Sequence, residues 1–238
     1  MLRLLILFTG LCISWPLYGQ LRIPVYCFPG QGADQRLFDS LQLDTLYELR
    51  VINYGTPEKG TDLRTFALRQ IAAIDTTAPF VLLGVSLGGM ICAELAETLH
   101  PQKTIIISSA KNRRELPLRY RFQRVVPLYR LFPGKVLLWG AKILQPRVEP
   151  DSKHHASTFQ SMLNTKSPAY MKRTIGMIIN WQRSSNTAQI YHIHGTLDHT
   201  LPLRYIKSPY TVLPKGSHMM TLTLGKEISD LINQILAQ

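Results

Sequence analysis

Phe80-Val81-Leu82-Leu83-Gly84-Val85-Ser86-Leu87-Gly88-Gly89 joins an uninterrupted apolar run to a Gly-x-Ser-x-Gly turn. Four consecutive apolar residues closed by glycine read as a short strand buried on both faces, and residues 88–99, rich in small side chains, read as a helix. A serine between such a strand and such a helix sits in a strained turn. The residues two before and two after it must be small for the two backbones to pass, and its Oγ is then raised above the sheet edge. Ser86 is therefore the candidate nucleophile. The competing reading is a glycine-rich packing turn with no chemistry.

Outward from this stretch, short β-type runs alternate with helical ones. Residues 24–28 form an apolar run ended by the turn signal Pro29-Gly30, and residues 49–53 form a second, stopped by Gly55 and Pro57. Leu63, Phe66, Ala67, Ile71 and Ile74 recur at three- and four-residue steps, which predicts an amphipathic helix over 61–74. Residues 104–108, 190–194 and 210–213 are further strand candidates, and a helix is expected over about 222–236. Strands without polar alternation are buried on both faces, as in parallel sheets covered by helices. The expected fold is a three-layer α/β/α architecture with a mostly parallel sheet. Residues 111–185 break the alternation, are rich in proline and basic residues, and are read as a helical cap inserted between two strands.

Length and composition set the frame. The sequence has 238 residues, its hydrophobic fraction is 45% and its charged fraction is 18%. One globular domain over 20–238 is the simplest expectation for such a chain. Residues 1–19 read as a signal peptide: Arg3, an apolar stretch over 4–13, and Tyr18-Gly19-Gln20 as a cleavage point. That implies export, periplasmic or secreted; an uncleaved membrane anchor is the alternative, because Leu17 is larger than a signal peptidase prefers. Cys27 and Cys92 lie in apolar runs and read as buried free thiols, not as a disulfide framework. The net charge of +12 is localised. From Lys111 to Arg183 basic residues outnumber acidic ones 15 to 3, while the rest of the chain is balanced at 12 of each. No nucleic-acid motif accompanies this segment. An anionic membrane surface or an acidic substrate is the expected partner, against a solvated basic face as the plain alternative. Within it, residues 125–144 interleave large apolar side chains, Trp139 among them, with Arg130, Lys135 and Lys142. This pattern suits a membrane interface, an acyl-chain pocket or ordinary packing on the core.

A serine hydroxyl needs a neighbouring base. Of the seven histidines, His218 follows the last expected strand in Lys215-Gly216-Ser217-His218-Met219 and is the best-placed candidate. His154 and His155 fall in the cap; His192 and His194 alternate in a strand, so at least one should point into packing. Asp198, four residues beyond His194, is the candidate acid that orients His218, since the segment after residues 104–108 offers no carboxylate before Glu115. An oxyanion requires two backbone N–H donors; Leu87, next to Ser86, and Gln31 in Phe28-Pro29-Gly30-Gln31-Gly32-Ala33 are expected to supply them. His192-x-His194 followed by Asp198-His199 also resembles a zinc-hydrolase pattern, but the spacing between His194 and Asp198 is too long for it and the glycine turn would go unexplained. No metal and no cofactor is expected.

Pro29-Gly30-Gln31-Gly32-Ala33-Asp34, Gly84-Val85-Ser86-Leu87-Gly88-Gly89, Gly195-x-x-Asp198-x-x-x-Pro202 and Gly216-Ser217-His218-Met219 occur in the order of the landmarks of the α/β-hydrolase superfamily, which the chain resembles from residue 23 onward. The resemblance implies a Ser86–His218–Asp198 triad acting on a small-molecule acyl ester or related bond. Phe28-Pro29 stands where many members carry His-Gly. Two alternatives remain open: a non-catalytic binding protein on the same scaffold at an anionic membrane, and a triad enzyme of acyl-transfer or lyase type.

Overall fold

A computed structural model describes residues 22–148, 155–207 and 209–238; the expected leader, residues 1–19, and His154 of the cap lie outside them. β1 (Ile23–Phe28), β2 (Tyr47–Val51), β3 (Val81–Val85), β4 (Lys103–Ile107), β5 (Tyr191–Gly195) and β6 (Thr211–Leu213) form one sheet in the order β2-β1-β3-β4-β5-β6, with every pairing parallel. The helices in chain order are α1 (Leu63–Arg69), α2 (Leu87–Ala96), α3 (Leu118–Val125), α4 (Gly134–Val148), α5 (Ala156–Asn164), α6 (Pro168–Ile179), α7 (Met220–Thr223) and α8 (Gly225–Leu236).

The period-two geometry of strands splits the apolar runs between two layers. Tyr26, Phe28, Leu82 and Ile106 point to the face covered by α1 and α2, where they meet Leu63, Phe66, Met90, Ile91 and Leu95. Val25, Cys27, Leu83, Ile105 and Ile107 point to the face covered by α8, meeting Ile228, Ile232 and Ile235. Each large aliphatic or aromatic side chain contributes roughly 1.5–3 kcal/mol by leaving water. Burial on both faces holds for the interior strands only. Thr211 and Val212 of β6 and Arg50 of β2 are exposed, because each of these strands has a neighbour on one side alone.

Two departures from the sequence reading have visible structural causes. The helix over 61–74 narrows to α1 and a 3-10 turn, Gln70–Ala73. Asp62 starts it by accepting from the Thr65 N–H at 3.0 Å, which satisfies one of the donors that a helix start leaves open. The helix over 222–236 is broken: Leu224 leaves helical geometry with ψ 46°, and Gly225 lies so close to Ser40 that a Cβ there would overlap its hydroxyl. α7 can thereby carry the chain away from His218 while α8 lies flat on the sheet.

Helices α3–α6 occupy the interval between β4 and β5 and form the inserted cap. Its return to the sheet is pinned on α2. Glu94, nearly fully buried, accepts from Trp181 Nε1 at 2.6 Å and from Arg183 Nη2 at 2.7 Å. A paired, hydrogen-bonded carboxylate is tolerated in such a place; an unpaired one is not. Cys27 and Cys92 are buried and unbridged. Among the described residues no helix is long and apolar enough to cross a membrane.

Candidate active site

The strand order changes direction between β1 and β3: the chain leaves β1 for β2 on one side and crosses to β3 on the other. The loops after β1 and β3 therefore diverge and leave a crevice at the carboxyl ends of the strands. The candidate residues follow β1, β3, β5 and β6 directly and gather at that edge.

Ser86 adopts a backbone conformation of φ 53 and ψ -118 degrees, in the left-handed half of backbone space. Holding a non-glycine residue there costs roughly 1–3 kcal/mol. Its N–H donates to the Ile107 carbonyl at 3.0 Å, and its carbonyl accepts from Ser109 Oγ at 2.6 Å, so the turn is held from β4. The flanking glycines are needed for close approach. A Cβ on Gly84 would overlap the backbone of Gly88, and one on Gly88 would overlap the carbonyl oxygen of Phe28.

His218 Nε2 lies 2.9 Å from Ser86 Oγ, and His218 Nδ1 lies 2.9 Å from Asp198 Oδ2. The three side chains chosen from sequence are thus brought together, although 132 positions separate Ser86 from His218. The loops bearing Asp198 and His218 are laced to each other. Leu197 N–H donates to the Gly216 carbonyl at 2.8 Å, Lys215 N–H donates to Thr196 Oγ1 at 2.9 Å, and Gly195 approaches Gly216 too closely for any Cβ. Asp198 accepts further from the Leu201 N–H at 2.6 Å. Burial by itself would raise the pKa of this carboxyl. The charge of His218 and the hydrogen bonds from His194 and His218 outweigh burial and hold it well below the usual carboxylate range.

His194, one of the two strand histidines of which sequence reasoning expects at least one in the packing, reaches the site. Its Nε2 sits 2.8 Å from the Leu201 carbonyl and 3.3 Å from Asp198 Oδ2. A carbonyl oxygen only accepts, so Nε2 carries the proton and serves both oxygens. In the neutral ring Nδ1 is then an acceptor, matched by His192 Nε2 at 3.0 Å. His192 Nδ1 ends the chain as a buried acceptor with no partner among the described residues. Burial, followed by the nearby His194, lowers the pKa of His192 and keeps its ring neutral. Both histidines of the His-x-His pattern are enclosed and joined by a hydrogen bond. The signal available in the sequence is the i, i+4 spacing from His194 to Asp198 across the end of a strand.

The loop after β1 brings Gly30 to within 3.3 Å, measured from its ideal Cβ position, of Ser86 Cβ. Gln31 follows it, its side chain donating to Thr174 Oγ1 of α6 at 2.6 Å. Both Gln31 and Ser86 line a cavity of about 420 Å³. Small-molecule sites span roughly 300–1,000 Å³, so the cavity is of ordinary size for one. Its walls are chiefly apolar: Met90 and Met219 from the sheet side, Tyr120, Phe159, Leu163 and Met171 from the cap. The cap residues are beyond sequence reasoning because nothing in their spacing says which helix face meets the sheet edge. Among the described residues no group of three or more His, Cys, Asp or Glu side chains is arranged to hold a metal ion.

A strand-loop-helix serine meeting a histidine and a carboxylate from later loops of one parallel sheet defines the α/β-hydrolase class. The profile of the alpha/beta hydrolase family matches residues 5–230, and the chain belongs to that family. It is similar in structure to a thermophilic esterase from Thermogutta terrifontis, at TM-score 0.67 and 17% identity, covering 91% of this chain and 90% of that one. An esterase from Exiguobacterium antarcticum gives TM-score 0.70 and 15% identity over 92% and 93% of the two chains. A bromoperoxidase from Bacillus anthracis gives TM-score 0.65 and 16% identity over 91% and 92%. At these identities the likeness concerns the fold. No curated protein matches the chain.

Proposed function

We propose that the chain is a serine ester hydrolase that cleaves small acyl esters through an acyl-enzyme intermediate, with Ser86 as nucleophile, His218 as general base and acid, and Asp198 as its orienting carboxylate. The observation that carries this reading is the continuous hydrogen-bonded line from Ser86 Oγ through His218 to Asp198 at the wall of an apolar cavity. His218 donates Nδ1–H to Asp198, which leaves Nε2 with a lone pair facing the serine hydroxyl. As Ser86 Oγ bonds to the carbonyl carbon, its proton passes to Nε2. The tetrahedral oxyanion sits between the backbone N–H groups of Leu87 and Gln31, neither of which is taken by an acceptor among the described residues. Collapse expels the alcohol with the proton from His218, and water then repeats the sequence on the acyl-enzyme.

The cavity favours an apolar acyl group over a charged one. Arg119 lines its rim, but its guanidinium is held by the carbonyl oxygens of His199 and Thr200. A fluorophosphonate probe is expected to label Ser86 and no other residue, and the label to disappear in Ser86→Ala. Folded wild-type protein that resists the probe and turns over no p-nitrophenyl ester from acetate to octanoate would overturn the reading.

A further inference from the structure

The large apolar side chains that face water are concentrated in the cap. Val125 is 81% exposed, Leu131 77% and Trp139 65%, whereas among the described residues no large apolar side chain outside 118–144 exceeds 41%. In α3 the stripe formed by Leu118, Phe122 and Val125 recurs at i, i+4 and i+7 and points to solvent. α8 shows the ordinary arrangement, with Ile228, Ile232 and Ile235 turned onto the sheet. Such a concentration of exposed apolar groups marks a contact surface.

The charge around these side chains says what kind of contact. Every formal charge between Leu116 and Val148 is positive. α3 is also a partition: Arg119 and Tyr120 face the active cavity, while Arg121 and Arg124 face a separate groove of about 640 Å³. That groove is lined by six cations, Arg113, Arg114, Arg121, Arg124, Arg204 and Lys207, and by no carboxylate among the described residues. A second copy of the chain would set like charges against each other. A protein partner requires a shaped, close-packed patch, yet these side chains project from the surface. A lipid bilayer accepts projecting apolar groups without shape matching, and anionic headgroups answer the basic rim.

We propose that the face made by α3, the turn Leu128–Leu131 and the first turns of α4 seats on an anionic lipid bilayer. Phe122, Leu131 and Trp139 enter the boundary between headgroups and acyl chains, Arg130 and Lys135 meet lipid phosphates, and the arginine-lined groove holds a headgroup. Leu144, farther along α4 than Trp139, is itself exposed and lines the active cavity, so an apolar wall leads from the outside of the cap toward Ser86 for a lipid-derived acyl ester. That last step rests on the proposed ester hydrolysis; the docking does not.

The test is quenching of Trp139 by brominated lipid in the full-length chain carrying Trp15→Phe, where Trp181 is buried and Trp139 is the exposed indole. This readout reports the cap itself, whatever residues 1–19 do. Vesicles of phosphatidylglycerol and phosphatidylcholine, about 3:7, are expected to quench Trp139, and pure phosphatidylcholine is not. Arg130→Glu with Lys135→Glu should weaken partitioning more than about 10-fold, since each basic side chain near an anionic surface is worth roughly a factor of five. Leu131→Asp should act in the same direction and serves if the double variant misfolds. Ser86→Ala should dock like its parent, which separates this inference from the catalytic one. Absence of quenching on anionic vesicles, equal quenching on neutral ones, or quenching indifferent to these cap variants each overturns the proposal.

Discussion

Asp198→Asn isolates the tautomer on which the proposed proton transfer depends. Oδ1 of Asp198 accepts from the Leu201 N–H at 2.6 Å, and Oδ2 faces His218 Nδ1 at 2.9 Å. An asparagine can fill this place in two ways. With its oxygen toward Leu201, its NH₂ faces His218 and holds the ring with Nδ1 as acceptor and Nε2 protonated, so that it cannot take the Ser86 proton. With its oxygen toward His218, the NH₂ meets the Leu201 N–H, and two buried donors oppose each other at a cost of about 1–3 kcal/mol. The first orientation also turns its NH₂ toward His194 Nε2–H, but that contact is longer, 3.3 Å, and the Leu201 carbonyl at 2.8 Å keeps the His194 proton satisfied. The first orientation is therefore the less costly one, and the charge that would stabilise the imidazolium is lost in both. The expected fall in kcat is about 10⁴, the loss this change produces in the serine-protease template, equivalent to about 5.5 kcal/mol of barrier. KM should hardly move, because Asp198 is not among the residues lining the cavity. The assay is p-nitrophenyl butyrate hydrolysis on protein whose near-ultraviolet circular dichroism matches wild type. A folded variant retaining kcat within about tenfold of wild type would refute the roles given to Asp198 and His218.

Other outcomes follow from the same geometry. The folded-state pKa of Asp198 is depressed, so its stabilisation is complete above the unfolded carboxylate value and is lost as the pH falls through the folded one. The Tm difference between wild type and Asp198→Asn should accordingly shrink below about pH 4, and a gap that stays constant in thermal melts would contradict it. His194→Ala removes one donor from Asp198, whose contact with His194 Nε2 is 3.3 Å long and shared with the Leu201 carbonyl. Such a contact belongs at the low end for hydrogen bonds to charge, about 1.5 kcal/mol. The expected result is roughly a tenfold drop in kcat with KM unchanged; equal effects on both constants would mean the residue merely packs. Arg183→Ala leaves buried Glu94 with Trp181 alone. A loss of about 3 kcal/mol should lower Tm by about 6–12 °C in calorimetry. Gly88→Ala drives a methyl into the Phe28 carbonyl and should abolish both soluble folded protein and probe labelling.

The amphipathic cap shows where sequence reasoning stops. The interleaving of apolar and basic residues over 125–144 is equally compatible with packing inward and with facing outward. Val125 and Leu131 prove exposed, whereas Phe159, Leu163 and Met171, with no more apolar neighbours in the chain, close over the cavity. Helical spacing defines a stripe; the direction it faces depends on how the helix is anchored, here through α6 and the Glu94 contacts.

Local chemistry is sufficient for much of the rest. Apolar runs without polar alternation require a parallel sheet covered on both sides. The small residues around Ser86 require a tight crossing of strand and helix. These are steric demands of neighbouring residues, so they can be read along the chain. Tertiary structure alone decides that His192 and His194 prolong the hydrogen-bonded line beyond Asp198, the break before Gly225 and the composition of the cavity wall. Each depends on contacts between segments far apart in the chain, whose mutual orientation is set by the summed packing of the whole core and not by any stretch of it.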